Sequence, residues 1–314
     1  MPPKRIRLLK PDPLGWFELP VKIRRMIIDE MNSKTRCKFA QCSKLCNKLV
    51  NSFKNHMYKL EIVQNESNDH RMELHFYYKD TLKSDFWFEF INAKDWQTIV
   101  VYRCPIKWTK LEKGWPKDVW LKYLEKYLEK YKNSIRSFVF EETTTSVGCF
   151  TIQNLKRLEK LHYQNTPFHR NELPYEFINN NKLMSLKHLH MPIINFTFDQ
   201  IIDFKGEIFH ATSDDFDEVN INEYLMMLKN GEIHENVEHV KINFNYDNEV
   251  DNIGIVVNDL DVIAEHSETS PIDFRPYKDR GCYTFSFCSE SRKNEKFCIS
   301  FVPRRMIEIR KEKN

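Results

Sequence analysis

Residues 135–140 read IRSFVF, residues 158–163 LEKLHY, residues 186–191 LKHLHM and residues 237–242 VEHVKI. All four place apolar side chains at their first, fourth and sixth positions: Ile135/Phe138/Phe140, Leu158/Leu161/Tyr163, Leu186/Leu189/Met191 and Val237/Val240/Ile242. The fourth and sixth positions are two apart, the side-chain period of a strand, so each block ends in a strand with one apolar face. From start to start the blocks lie 23, 28 and 51 residues apart. The last gap holds about two periods, and Glu207-Ile208-Phe209-His210 offers a weaker strand to fill it.

Helix-like segments precede three of these strands: Glu172 to Asn179, Asp199 to Asp203, and Asn222 to Lys229 with Gly231 as its stop. One strand per ~20–29 residues is the pattern of leucine-rich repeats. The lengths are irregular and a regular asparagine ladder is missing, so the array over 117–245 is leucine-rich-repeat-like and degenerate. An ordinary α/β domain is the alternative reading.

Outward from this array the pattern turns to strands on both sides. Residues 58–62, 72–76, 86–90 and 99–102 alternate or are rich in β-formers, which predicts a small antiparallel sheet. Residues 282–287 and 296–301 alternate strictly around a polar turn, a hairpin over 282–301, and Met306 to Arg310 offers one strand more. Between the first flank and the array, Trp120, Tyr123, Leu124, Tyr127, Leu128 and Tyr131 follow helical spacing over 117–132.

The N-terminus differs. Residues 1–15 hold four prolines and a Lys4-Arg5-Ile6-Arg7 run, and read as a flexible basic arm. Residues 16–55 read as a small helical module. Ile23, Met26, Ile27 and Met31 repeat as one helix face, with Pro20 at the start where a missing N–H costs nothing. A second helical stretch carries Cys37, Phe39, Cys42, Leu45, Cys46 and Leu49. A unit this small, a helical hairpin or triplet, is weakly stable alone and is expected to pack on a neighbour. Residues 56–314 read as the α/β region behind it.

Composition narrows function. The chain has 314 residues, 41% hydrophobic, enough for a sizeable core. Lys and Arg number 48 against 45 Asp and Glu, so total charge names no polyanionic partner. Seven glycines argue against Gly-rich phosphate cradles. Residues 1–10 lack the apolar core of a signal peptide, and no run of ~18 apolar residues exists. A cytoplasmic or nuclear chain without a membrane span is expected, with its eight cysteines reduced and mostly serving as small core residues.

Residues 19–31, LPVKIRRMIIDEM, resemble the opening of an F-box, and residues 36–50, RCKFAQCSKLCNKLV, resemble its second half. The form is similar to the F-box proteins expanded in nematodes, in which an F-box-associated domain follows. Residues 150–245, including NINEYL at 220–225, resemble that domain. Lys22 and Cys46 depart from the pattern, where Glu and Trp are common. The resemblance implies a non-catalytic adaptor that docks on the Skp subunit of a cullin–RING ubiquitin ligase and holds a protein substrate. It implies no cofactor. Leu19, Pro20, Ile23, Ile27, Ile28, Met31, Phe39, Cys42 and Leu49 are the candidates for the docking surface and its supporting core, and the sequence does not divide the two roles.

No P-loop, dinucleotide fingerprint or Gly-x-Ser-x-Gly elbow occurs. His234, Glu235 and His239 mimic a zinc-protease motif with the wrong spacing, and neither cysteine group has a C-x-x-C pair. His188 and His190 share one strand face, which reads as surface or core edge rather than metal site. Two other readings remain: a repeat-type scaffold with a helical cap, and a nucleic-acid binder using the basic arm and the Lys/Tyr helix. Glu125 and Glu129 blunt the second.

Overall fold

The four recurring blocks become neighbouring parallel strands. The computed structural model describes residues 15, 18–31, 33–52, 57–65, 71–79, 84–103, 107–141, 145–164, 181–244, 250–264, 283–291 and 295–312. Strands β6 (Ser137–Glu141), β7 (Lys160–Gln164), β8 (His188–Asn195), β9 (Ile208–Ser213) and β10 (His239–Phe244) lie side by side in chain order. The strand read at 207–210 is β9, and it fills the long gap.

Their register aligns the recurring apolar residues. Phe138 pairs with Leu161, Leu161 with Leu189, Leu189 with Phe209 and Phe209 with Val240. All five are buried, so they form one continuous apolar row across the sheet. Each such side chain contributes about 1.5–3 kcal/mol by leaving water.

Parallel neighbours need crossovers, and short helices provide them. These are α5 (Thr145–Asn154), α6 (Asn181–Met184), α7 (Phe198–Ile202) and α8 (Glu218–Asn230). Thr197 and Gln200 close a reciprocal capping box at the start of α7. Gly231 ends α8 at φ 78°, a left-handed cap that a side chain would strain. Helix α5 was not read from the sequence, because TSVGCFTIQN mixes β-branched residues with a glycine. Gly148 brings it close to β6: a Cβ there would sit 2.4 Å from the Phe140 ring.

Both flanks join the same sheet. Strand β1 (Lys59–Asn65) runs parallel beside β6. From it the antiparallel meander β2 (Arg71–Tyr77), β3 (Phe86–Ala93), β4 (Gln97–Arg103) and β5 (Trp108–Lys113) leads outward. On the other side β14 (Met306–Lys311) pairs antiparallel with β10, followed by β13 (Lys296–Val302), β12 (Tyr283–Cys288) and β11 (Ile263–Ala264). The described strands thus form one 14-stranded sheet with a parallel centre and antiparallel ends. Helix α4 (Pro116–Tyr131) lies across β2–β4, where Tyr127 meets Phe76 at 4.9 Å and Phe88 at 5.3 Å between ring centres. On the opposite face of the first meander Glu89 is almost fully buried. Arg71 approaches it at 3.1 Å, Arg103 also ion-pairs with it, and the Trp87 indole donates to it at 3.0 Å. A carboxylate so deep is tolerable only with such partners.

Some expectations fall elsewhere. The arm over 1–15, Gly15 apart, and the helix read at 172–179 lie outside the described residues. Cysteines were expected mostly in the core, yet of those whose exposure is described only Cys46 is buried. Cys42 and Cys288 are exposed, because each stands at the end of its element where no neighbour covers it.

Gly206 sets the approach of β9 to β8. A Cβ there would stand 1.9 Å from the Leu186 carbonyl oxygen and 2.7 Å from that of Lys187. Backbone atoms cannot yield as a side-chain tip does. Gly206→Ala should therefore cost roughly 2–4 kcal/mol, read as a fall in chemical-denaturation stability, while an Ala at exposed Val219 should cost under about 1 kcal/mol.

Candidate docking surface

The N-terminal module folds as three helices: α1 (Val21–Glu30), α2 (Ser33–Cys42) and α3 (Lys44–Ser52). Pro20 sits at the N-cap of α1, and its carbonyl accepts from the Arg24 amide at 3.0 Å. Helix α1 ends as the Met31 amide donates to the Ile27 and Ile28 carbonyls. Of the hairpin or triplet expected, the triplet forms: the second stretch divides at Ser43, whose hydroxyl accepts from the Cys46 amide at 3.0 Å and starts α3.

One cation ties the module together. The Arg36 Nε donates to the Ile28 carbonyl at 2.7 Å, and its guanidinium lies 4.4 Å from the centre of the Tyr78 ring. Arg36 is buried, so this contact links α2, the end of α1 and the residue just after β2. Lys79 adds an ion pair to Glu30 at 2.8 Å and holds that carboxyl below the usual carboxylate range. The pair is exposed and is worth little on its own.

The expected docking residues divide between surface and core. Ile28 is fully buried. Leu19, Met31, Phe39 and Leu49 are half-buried, and Pro20, Ile23, Ile27 and Cys42 are exposed. Ile23, Met26 and Ile27 lie on one side of α1 and Ile28 on the other, since ~100° separates successive residues. The periodic apolar stripe therefore points away from the protein. Val21, Met26 and Leu45 extend the exposed apolar set, at 61%, 55% and 54% exposure. The sequence reading left these three out of the docking set. Their signal was present as apolar residues in excess of one buried face.

A second arrangement lies on the sheet. His162, His190 and His210 occupy one register row on β7, β8 and β9, opposite the buried apolar rows. Ring centres are 4.0 Å apart for His162–His190 and 4.3 Å for His190–His210. The Asn243 amide donates to the Pro192 carbonyl at 3.0 Å and to His210 Nε2 at 3.3 Å. With Nε2 accepting, the His210 proton sits on Nδ1 and donates to His190 Nδ1 at 2.9 Å. The His190 proton is then on Nε2. Burial first, then the neighbouring His190 and Lys59, push His162 down to about 4. Burial, then His190 and Lys241, push His210 down to about 3, and His190 is lowered by burial and Lys241. Sequence reading placed His188 and His190 on one face but could not see His162 and His210 join them across strands. Among the described residues no three His, Cys, Asp or Glu are placed to hold a metal. No helix of the described residues is long and apolar enough to cross a membrane.

Against known proteins, residues 16–58 match the F-box domain. No curated protein and no solved structure matches the chain.

The histidine row makes a prediction about acid stability. Unfolded, these rings protonate near 6.5. Above that pH both states carry neutral rings and the row costs nothing. As pH falls below 6.5 the unfolded chain binds protons that the folded rings refuse, down to about 4 for His162 and about 3 for His210. The loss should be roughly 1–3 kcal/mol per ring, reduced by partial exposure. Thermal unfolding followed from pH 7 to 4 should show a shallower decline in a His162→Gln/His210→Gln variant. Parallel declines would remove the assignment.

Proposed function

We propose that this chain is a substrate-recruiting adaptor of an SCF-type ubiquitin ligase. Its F-box docks on the Skp subunit and, through it, on the cullin, while the α/β region holds a protein destined for ubiquitination. The observation that carries this reading is the outward apolar set Val21, Ile23, Met26, Ile27 and Leu45 on α1 and α3 of the segment that matches the F-box domain. Large apolar side chains gathered outside the core of a three-helix unit need a partner to cover them. F-box domains generally use such helices to bind Skp.

The adaptor has no catalytic role in this reading, and its place is the cytoplasm or nucleus, where Skp and cullin reside. The recognition region is read as an irregular leucine-rich-repeat-like array of the nematode F-box-associated kind. The aligned parallel strands and their short crossover helices support that description. Lys22 is exposed, so its departure from the common Glu touches the rim of the surface, whereas Cys46 is buried and changes packing under it.

Charge on the apolar stripe separates docking from folding. Ile23→Glu with Met26→Glu should leave the unfolding midpoint within about 2 °C of the parent, since both sites are exposed. Co-purification with Skp should fall at least about a hundredfold, as expected when charged groups replace apolar anchors. Ile28→Asp, by contrast, should unfold the module itself. Undiminished Skp capture by the Ile23/Met26 variant would overturn the docking surface.

A further inference from the structure

The face of the sheet that carries the histidine row is chemically one-sided. Strands β7–β10 contain no aspartate or glutamate, although acidic residues number 45 in the chain. They do contain His162, His188, His190, His210 and His239, five of the chain's 11 histidines. All five are half-buried and alternate with the buried Leu161, Leu189, Phe209 and Val240, so they share the open face. Lys160 and Lys241 stand on the same face. Lys241 meets no carboxylate within ion-pair distance among the described residues, and it follows His210 in the register row.

Among the described residues, carboxylates on this face stand only at its borders, and each is already engaged. Glu61 on β1 accepts from the Tyr77 hydroxyl and faces Lys59 at 3.6 Å. Glu308 on β14 takes His239 at 2.8 Å and Arg310 at 2.6 Å. Glu207, just before β9, takes His188 at 3.3 Å. Strand β6 contributes Ser137, Val139 and, at its end beside Gln164, a Glu141 that is itself engaged. The centre is left with the His190 Nε2–H as a donor and with Lys241, which stands opposite Glu308 in the register but forms no ion pair with it, that carboxylate being taken by His239 and Arg310.

We infer that the centre of this face is the docking site for an acidic, extended segment of a partner protein. Three strand spacings separate Lys241 on β10 from His162 on β7, roughly 14 Å. An extended chain covers that distance in about four residues, so acids at alternate positions reach Lys241, the His210–His190 pair and His162 in turn. A nucleic acid fits less well. Its closely spaced phosphates require many permanent cations, and these four strands offer two between borders that carry Glu61 and Glu308. The site takes the substrate-holding role given to the α/β region above and so rests on that reading for the partner's identity, though not for its chemistry.

Docking of a carboxylate beside an imidazole favours the protonated ring. Binding then takes up protons and strengthens as pH falls, while the ligand's own carboxylates stay ionised above about 4.3. Lys59, His239 and Lys241 oppose that protonation, and Glu61 and Glu308 assist it weakly because each is already paired.

The test is fluorescence anisotropy with the full chain and a fluorescein-labelled peptide of alternating glutamate and serine. Affinity should rise about threefold from pH 7.5 to pH 6. His190→Gln with Lys241→Gln should weaken binding about tenfold at unchanged unfolding midpoint. Thr212→Glu, which adds a carboxylate to the face and leaves every ring in place, should weaken it as well. Equal affinity in both variants, equal binding of a lysine–serine peptide, or tighter binding of single-stranded RNA would overturn the site. Peptide binding by a chain that fails to capture Skp would sink the adaptor reading and leave this site standing. Skp capture without peptide binding would do the reverse.

Discussion

The parallel register of β1 and β6–β10 is the constraint on which the rest of the structure depends. It stacks Phe138, Leu161, Leu189, Phe209 and Val240 into one row, which no single strand–helix unit could bury alone. The same register, one residue over, stacks His162, His190 and His210 on the other face. A slip of one residue would send the apolar row to solvent and the histidines into the core, so the two rows are locked by the same packing. Gly206 helps hold that register by letting the chain run against the Leu186 and Lys187 carbonyls just before β9 begins.

From this centre the sheet is extended rather than capped by separate units. The first meander continues it beyond β1 and the C-terminal strands continue it beyond β10, each by antiparallel pairing. The helical module meets this body through Arg36 and Glu30 against Tyr78 and Lys79, immediately after β2. Arg36 is the stronger of the two contacts, because it is buried and also accepts the task of satisfying the last turn of α1 at the Ile28 carbonyl. With the module held from its inner side, its apolar stripe is free to face outward.

The two candidate surfaces are built on opposite chemistry. On α1 and α3 the candidate docking residues are apolar, and their energy comes from leaving water. On β7–β10 they are donors and cations around neutral imidazoles, and their energy comes from hydrogen bonds and charge.

The sequence by itself determined which segments are strands in the centre, since apolar residues two apart repeat in IRSFVF, LEKLHY, LKHLHM and VEHVKI. It also determined the helix of α1, the Gly231 stop and the C-terminal hairpin, all of which rest on contacts within a few residues. Strand β5 and helix α5 escaped it, because WTKLEK and TSVGCFTIQN lack a clean period of their own. Periodicity also could not tell that Ile23, Met26 and Ile27 face outward while Ile28 faces in, because an apolar stripe marks a side and not what covers it. Only the tertiary structure decided the histidine row. Its members are separated by 28 and 20 residues in the chain, and they meet because two crossovers bring three adjacent strands into step.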